Sequence, residues 1–245
     1  MRHKTATMGQ PCEIIYDKSH WELLKTFREQ AASVLYALER AGFECFVYGS
    51  LARGDVSTGS DIDIIIPLVV QSFRVELALD DIGITSRKLV QATPGALVKA
   101  HIHLPQKAMV TFPLIQPTER ELDFYAFGGM IGVEGLEDVI NNRVAGVDKR
   151  LMLIEPTAEG HAETPLSDIS PGLAAKKIGV GQGIVDERIR VLQRRAKVGT
   201  TGVYLNRPLA QDEGFEAVLE QITASDSLVD TSTTTGPMTA FDASC

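Results

Sequence analysis

Residues 49–64, GSLARGDVSTGSDIDI, carry side chains and backbone suited to phosphate chemistry. Asp61 and Asp63 lead into a β-branched run that predicts a strand. Because side chains at i and i+2 of a strand share a face, the two carboxylates should lie side by side. Such oxygen ligands suit Mg²⁺, which binds one or two carboxylates plus substrate phosphates. Gly49 and Ser50 stand at a predicted strand-to-helix turn, where free N–H groups favour a phosphate. The segment therefore predicts the transfer of a nucleotide with help from a metal ion.

The segment resembles the signature of the DNA polymerase β-like nucleotidyltransferase superfamily: Gly-Ser, a short helix, then Asp-x-Asp entering a strand. Ala-Arg-Gly at 52–54 and Ser-Asp-Ile-Asp at 60–63 are similar to the minimal nucleotidyltransferases that are paired with toxins. This chain is far longer than those enzymes. Over roughly residues 20–210 it more closely resembles an uncharacterised archaeal family of predicted nucleotidyltransferases that carry a C-terminal winged helix.

The resemblance implies catalysis by two ions, Mg²⁺ or Mn²⁺, held by three carboxylates. Asp61 and Asp63 would hold the ions that bridge the triphosphate and neutralise charge during transfer. The family's third carboxylate lies on a later strand beside the Asp-x-Asp strand. We favour Asp123, within a predicted strand at 121–127, as the ligand near the attacking hydroxyl and as its proton acceptor. Glu121 is the rival, because it shares the face of Asp123 at period 2.

Nucleotide binding is assigned by the same resemblance. Gly49 and Ser50 would hold the outer phosphates of an NTP such as ATP, and a glycine permits close backbone approach. Arg53, one turn into the short helix, is either a phosphate contact or a solvated surface arginine.

The remaining pattern predicts an α/β fold with a mixed sheet. Helices are expected at 21–40, 73–81 and 136–141 and after Pro94, with strands at 43–48, 87–91 and 109–115. A further apolar run at 150–154 predicts an edge strand or a bridge between domains, and Lys149 and Arg150 either touch substrate or are solvated. His101 and His103 alternate on one strand face, which indicates a polar face near a substrate groove more than a metal site.

Composition supports a soluble, compact protein in a reducing compartment. Of 245 residues, 44% are hydrophobic, and no apolar run approaches the length that spans a bilayer. Residues 1–10 are polar and lack the apolar core of a secretory signal. The three cysteines are widely separated and fit neither a zinc site nor a disulfide framework. We therefore expect a cytoplasmic location without membrane partners.

An isolated basic block follows residue 172. Residues 173–208 carry eight Lys and Arg against two acids, a net of +6, whereas residues 209–245 carry seven acids and no Lys or Arg. The block predicts a helix, a glycine turn and a second helix that buries Val185, Ile189 and Leu192, followed by a hairpin wing. This resembles a winged helix, which presents its second helix to nucleic acid or to a protein. Four arginines are predicted to bind nucleic acid: Arg188, Arg190, Arg194 and Arg195.

The predicted organisation has five parts. A polar extension (1–19) precedes the nucleotidyltransferase domain (20–155), a linker (156–172), a winged helix-turn-helix domain (173–222) and a disordered tail (223–245). The predicted function is transfer of a nucleoside monophosphate from an NTP to an acceptor hydroxyl, with nucleic acid favoured. A nucleic-acid-binding regulator that senses nucleotide, and an enzyme that nucleotidylates a protein, are the alternatives.

Overall fold

The computed structural model describes residues 6–199 and 202–225. In chain order, these residues form β1 (Cys12–Ile15), α1 (Lys18–Arg40), β2 (Phe46–Tyr48), α2 (Ser50–Arg53), β3 (Ile62–Ile65), α3 (Ser72–Ala78), β4 (Ser86–Gln91), β5 (Val98–His103), β6 (Ala108–Pro113), α4 (Glu119–Phe127), β7 (Met130–Ile131), β8 (Gly146–Val147), β9 (Met152–Thr157), β10 (Gly160–Pro165), α5 (Pro171–Ile178), α6 (Gln182–Val198), β11 (Leu205–Pro208) and α7 (Phe215–Ser225).

The larger sheet confirms the predicted mixed α/β fold. Its strand order is β11-β4-β5-β6-β3-β2-β7, and β3 pairs in parallel with β6 while the other neighbours pair antiparallel. Helix α1 begins at Asp17, whose carboxylate accepts the His20 N–H, and buries Leu24, Leu35 and Leu38 against this sheet. The helix predicted at 21–40 and the strands predicted near 43–48, 87–91 and 109–115 are confirmed within a few residues.

The smaller sheet was not predicted. Strands β1, β10, β9 and β8 form an antiparallel sheet in that order. The predicted N-terminal extension therefore contributes a strand, and the predicted linker at 156–172 is wrong because residues 160–165 form β10. Pro156 and Pro165 led to the linker prediction, yet both lie within paired strands of this sheet.

Helix α4 replaces the strand predicted at 121–127, so this prediction is wrong. Thr118 caps the helix by accepting the Glu121 N–H, and the Glu121 carboxylate accepts the Thr118 N–H in return. This reciprocal capping box fixes a helix start, and the sequence Thr-Glu-Arg-Glu at 118–121 carries its pattern. Asp123 consequently lies on a helix and not in the sheet.

Two smaller helix predictions also fail. Residues after Pro94 turn directly into β5, whose alternating burial matches a strand with one buried face. The helix predicted at 136–141 is replaced by a 3₁₀ turn at Val133–Gly135 followed by irregular chain.

Helices α5 and α6 confirm the predicted helix-turn-helix. Ser170 caps α5, Gly179 ends it in the left-handed region at φ +82°, and α6 buries Val185 and Leu192. Their apolar faces pack with α4 and the smaller sheet in a second core that includes Phe127 and Leu153.

The predicted wing is wrong. Residues 205–208 form the single strand β11, which pairs antiparallel with β4 at the edge of the larger sheet. Helix α7 follows and buries Phe215 fully against Phe112 of the main core. The predicted tail lies outside the described residues from position 226 onward. Among residues 6–199 and 202–225, we find no helix with the length and apolarity that a bilayer crossing requires.

Candidate active site

One large cavity, of about 1090 Å³, collects most of the residues singled out in the sequence. Three groups of elements line it. The first, which we call the signature wall, comprises residues 48–63 and holds Gly49, Ser50, Asp61 and Asp63. The second is the smaller sheet, and the third is the pair α4 and α6, which contributes Phe124.

The Gly-Ser turn has the backbone geometry that only glycine adopts easily. Gly49 has φ +82°, and its N–H donates to the Gly129 carbonyl at 2.9 Å. The Ser50 hydroxyl donates to Ser60 Oγ at 3.3 Å, and Ser60 Oγ also accepts the Ser57 N–H at 2.9 Å. The turn and the loop before Asp61 are therefore tied together by hydroxyls that line the cavity.

Arg53 braces the signature wall. Its side chain is buried, and its Nε and Nη2 donate to both carboxylate oxygens of Asp55, at 2.9 and 3.0 Å. Its Nη1 donates to the Gly128 carbonyl at 2.5 Å. These contacts use three of the five guanidinium N–H donors, and the side chain is buried, so Arg53 is not a solvated surface arginine. Because Arg53 also lines the cavity, its role as a phosphate contact stays a prediction.

Asp61 and Asp63 meet at the cavity without a cationic partner in the described chain. Asp61 is exposed and Asp63 is partly buried at the start of β3. Burial, and then the charge of Asp61, raise the pKa of Asp63 to about 6. A carboxylate whose ionised form is disfavoured by burial and by a neighbouring carboxylate is suited to share a divalent cation with that neighbour.

In the described residues of the larger sheet, no third carboxylate lies in register with Asp63. The neighbours of β3 are β2 and β6, and the residues in register with Asp63 are Tyr48 and Met109. Asp123 does not line the cavity, and its Oδ2 accepts the Gly181 N–H at 3.0 Å. The Glu121 carboxylate accepts N–H bonds from Thr118 and Leu97. Neither acid is placed as a metal ligand.

The donor set fits one magnesium ion and not two. Across residues 6–199 and 202–225, no group of three or more His, Cys, Asp or Glu side chains is arranged to hold a metal. One Mg²⁺ can be held by Asp61 and Asp63 together with substrate phosphates. A second ion would need a carboxylate that the structure does not place beside them.

The smaller sheet contributes the opposite wall, which the sequence analysis missed apart from Arg150. We call Asp148, Arg150, His161 and Glu163 the ion-pair wall. Arg150 donates to Asp148 at 2.5 Å and to Glu163 at 2.6 Å. His161 Nε2 contacts Glu163 at 3.2 Å, and its Nδ1 lies 2.6 Å from the Tyr16 hydroxyl. Burial raises the pKa of Glu163, but the hydrogen bonds to Arg150 and His161 and the charge of Arg150 together more than offset it, leaving this pKa below its ordinary value.

The four arginines predicted to bind nucleic acid are divided by the structure. Arg188 lines the cavity beside Phe124, with its guanidinium carbon 4.9 Å from the ring centroid. Arg190, Arg194 and Arg195 are exposed on α6 and do not line the cavity. The structure therefore separates Arg188 from the other three, and nucleic-acid binding by each of the four stays a prediction.

His101 and His103 lie on one face of β5, as predicted, with ring centroids 6.4 Å apart. Met109 pairs with His103 on one side and with Asp63 on the other, so this face continues from Asp63. Burial first, then Lys99 and His103, lower the pKa of His101 to about 4. The pair is thus neutral at pH 7, and no third ligand completes a metal site among the described residues.

One known protein family matches the part of the chain that contains Asp61 and Asp63. Residues 28–115 match the family model of the nucleotidyltransferase domain. The match contains the whole signature wall and ends just after β6. It covers the metal-binding candidates but neither the ion-pair wall nor α6.

Other comparisons add little. No curated protein matches the chain. A structure of Cid1 in complex with its short product ApU is 12% identical over 46% of this chain and 35% of that one, with a TM-score of 0.30. This chain therefore spans about a third of that protein. A Cid1 poly(U) polymerase structure with bound MgGTP is 13% identical over 72% of this chain and 69% of that one, also at 0.30. At this TM-score neither likeness supports a conclusion about this chain.

Proposed function

We propose that the protein binds an NTP with Mg²⁺ in the cavity and transfers its nucleoside monophosphate to an acceptor hydroxyl, with nucleic acid as the favoured acceptor. The supporting observation is the meeting of Asp61 and Asp63 with the Gly49–Ser50 turn at one cavity, within a segment that matches the nucleotidyltransferase domain. Mn²⁺ would serve in place of Mg²⁺, because both prefer oxygen ligands.

The residues have separable roles in this proposal. Asp61 and Asp63 hold the ion, which supplies charge neutralisation on the transferred phosphate. The Ser50 and Ser60 hydroxyls face the phosphates, and Arg53 keeps the turn rigid through Asp55. Gly49 adopts a positive φ that would strain other residues, and its missing side chain lets the backbone of the turn approach the substrate closely.

Nucleic acid is favoured as the acceptor because of the exposed arginines on α6. Arg190, Arg194 and Arg195 present positive charge to solvent, and phosphate contacts from such side chains give sequence-independent binding. They belong to α6, and residues 205–208 after it pair with β4, so the proposed binding surface is the helix itself. A protein acceptor would be the outcome if nucleic acid fails to serve.

A second candidate function is nucleotide binding without transfer, as in a nucleotide-sensing regulator. It is favoured by the register of β3 in the described residues, where Asp63 pairs with Met109 of β6 and Tyr48 of β2 and with no acid. A thioether cannot replace a carboxylate as a ligand for Mg²⁺. The two functions share the nucleotide site and differ only in the chemical step.

Incubation of the protein with labelled NTPs, Mg²⁺ or Mn²⁺, and RNA, DNA or lysate protein tests the proposal. Label should move to nucleic acid, and the Asp63→Asn variant should abolish the transfer while it keeps the fold. Nucleotide binding by calorimetry without any transfer would replace the enzyme with the sensor. Label on protein alone would identify a protein-modifying enzyme.

A further inference from the structure

Two cations converge on one aromatic ring at the end of the cavity formed by α4 and α6. Arg188 and Phe124 both line the cavity, and the guanidinium carbon lies 4.9 Å from the ring centroid. Lys99, on β5, places Nζ 5.4 Å from the same centroid and 3.4 Å from the Tyr125 hydroxyl. Two positive side chains thus share one ring at the boundary of a substrate-sized cavity.

These two cations differ in their pairing from Arg53 and Arg150, two arginines that line the same cavity. Arg53 is bound by Asp55, and Arg150 is bound by two carboxylates. Over residues 6–199 and 202–225, neither Lys99 nor Arg188 has a carboxylate within ion-pair distance. Buried Arg188 Nε lacks a hydrogen-bond partner as well. The adjacent Glu187 is directed toward Arg120, at 4.0 Å.

Leaving two such groups unpaired costs free energy. Burial, and then the charge of Arg195, lower the pKa of Arg188 to about 10. Burial also lowers the pKa of Lys99, with Arg188 contributing repulsion and Glu121 opposing it. Cation–π contact with Phe124 offsets only part of the desolvation of a buried cation. An unpaired buried cation beside a cavity is the arrangement expected where a ligand supplies the anion.

We propose that Arg188, reinforced by Lys99, forms a phosphate-binding subsite at the end of the cavity formed by α4 and α6. Arg188 contacts the phosphate directly, because a guanidinium offers a planar set of donors to phosphate oxygens. Lys99 adds positive potential from behind the Phe124 ring. The phosphate belongs either to the NTP or to the acceptor's backbone, a distinction that rests on the proposed function.

The metal-free test uses inorganic tripolyphosphate in EDTA, so that it does not depend on Asp61 and Asp63. Calorimetry on the full chain compares wild type with Arg188→Met, Lys99→Met and, as the matched control, Lys197→Met, which removes an exposed cation from the same helix. Loss of a charged hydrogen bond predicts about 10- to 100-fold weaker binding for Arg188→Met, a smaller loss for Lys99→Met and less than about a twofold change for Lys197→Met. Asp61→Asn should bind at least as well as wild type.

A thermal melt of the unliganded variants separates a binding site from a structural role. Removing an unpaired buried cation should raise the Tm of Arg188→Met by about 2–4 °C, whereas loss of a structural contact would lower it. The same titrations with a single-stranded oligonucleotide identify the source of the phosphate. An effect on the oligonucleotide alone assigns the subsite to the acceptor, and an effect on tripolyphosphate assigns it to the NTP.

The proposal is overturned if Arg188→Met binds both probes as tightly as wild type, or if wild type binds neither. It is also overturned if Lys197→Met weakens binding as much as Arg188→Met, because the effect would then come from general surface charge. Failure of nucleotidyl transfer alone leaves the subsite intact, since the tripolyphosphate titration contains no metal and no acceptor.

Discussion

The signature wall and the ion-pair wall face the same cavity with the same kind of side chain in opposite states. Asp61 and Asp63 have no cation beside them in the described chain, and the pKa of Asp63 is raised. Asp148 and Glu163 share Arg150, and the pKa of Glu163 is lowered. The first wall is prepared for a cation from outside, whereas the second is neutralised within the fold.

This difference shows how to separate binding groups from structural groups in one cavity. A carboxylate that is paired with an arginine gains less from a metal ion, because the arginine already balances part of its charge. A carboxylate pair without one is stabilised by any divalent cation that arrives. The same reasoning applies to the arginines. Arg53 and Arg150 are paired with carboxylates, whereas Arg188 has no carboxylate partner among the described residues and can bind an anion.

The largest expected effect is on transfer by the signature wall. Asp61→Asn and Asp63→Asn should each lower nucleotidyl transfer by at least about 100-fold, since the ion neutralises charge in the transition state. Labelled-NTP incorporation measures the loss. Wild-type turnover in both variants would show that the unpaired carboxylates are not the metal site.

The ion-pair wall should respond through stability. Arg150→Met leaves two largely buried carboxylates without their cation, and breaking such a pair should cost about 3 kcal/mol of unfolding free energy. Urea denaturation measures the change, with the exposed neighbour Lys149→Met as the control. Equal stability of the two variants would contradict the view that Arg150 holds this wall together.

A third prediction sets the pH dependence of the signature wall. With a pKa of about 6, Asp63 binds a proton more readily in the folded chain than in the unfolded chain. In EDTA, stability from this group is therefore present below about pH 4 and is lost as pH rises through 6, by about 3 kcal/mol in total. Asp63→Asn should remove this dependence, and Mg²⁺ should reverse it in wild type. Denaturation midpoints at pH 4 and 7.5 test both statements.

The smallest effect should come from Asp123, the residue first expected to be the third ligand. Because the Gly181 N–H is the one hydrogen bond that its carboxylate accepts within residues 6–199 and 202–225, Asp123→Ala should cost about 1 kcal/mol of stability and leave transfer within about twofold of wild type. A loss of transfer as large as that of Asp63→Asn would return Asp123 to the site and weaken the contrast between paired and unpaired acids.

The sequence allowed the elements around Asp61 and Asp63 to be predicted because local signals agreed there. Leu24, Leu35 and Leu38 repeat at helical spacing, and the β-branched run after Asp63 allows little besides a strand. The prediction for residues 121–127 was wrong because the spacing of their apolar residues is compatible with both a strand and a helix. The deciding signal, the capping pair Thr118 and Glu121, was present in the sequence but was not used.

The site was predicted only where its residues are contiguous. Gly49, Ser50, Asp61 and Asp63 come from one short segment, so their meeting follows from local geometry. The ion-pair wall depends on the pairing between β9 and β10 and on the position of these strands opposite the signature wall. No local sequence pattern specifies either of them. His161 and Glu163 do alternate along a strand, and that was the available hint.

The pairing of β11 with β4 has a consequence for how the molecule is made. The family match ends at residue 115, yet residues 205–208 form the strand that pairs with β4 at one edge of the sheet. During synthesis, the N–H and C=O groups on this edge of β4 stay unpaired until residues 205–208 have been made. Phe215 then fills the core next to Phe112. A chain truncated after α6 would keep every catalytic candidate and still expose a strand that invites aggregation.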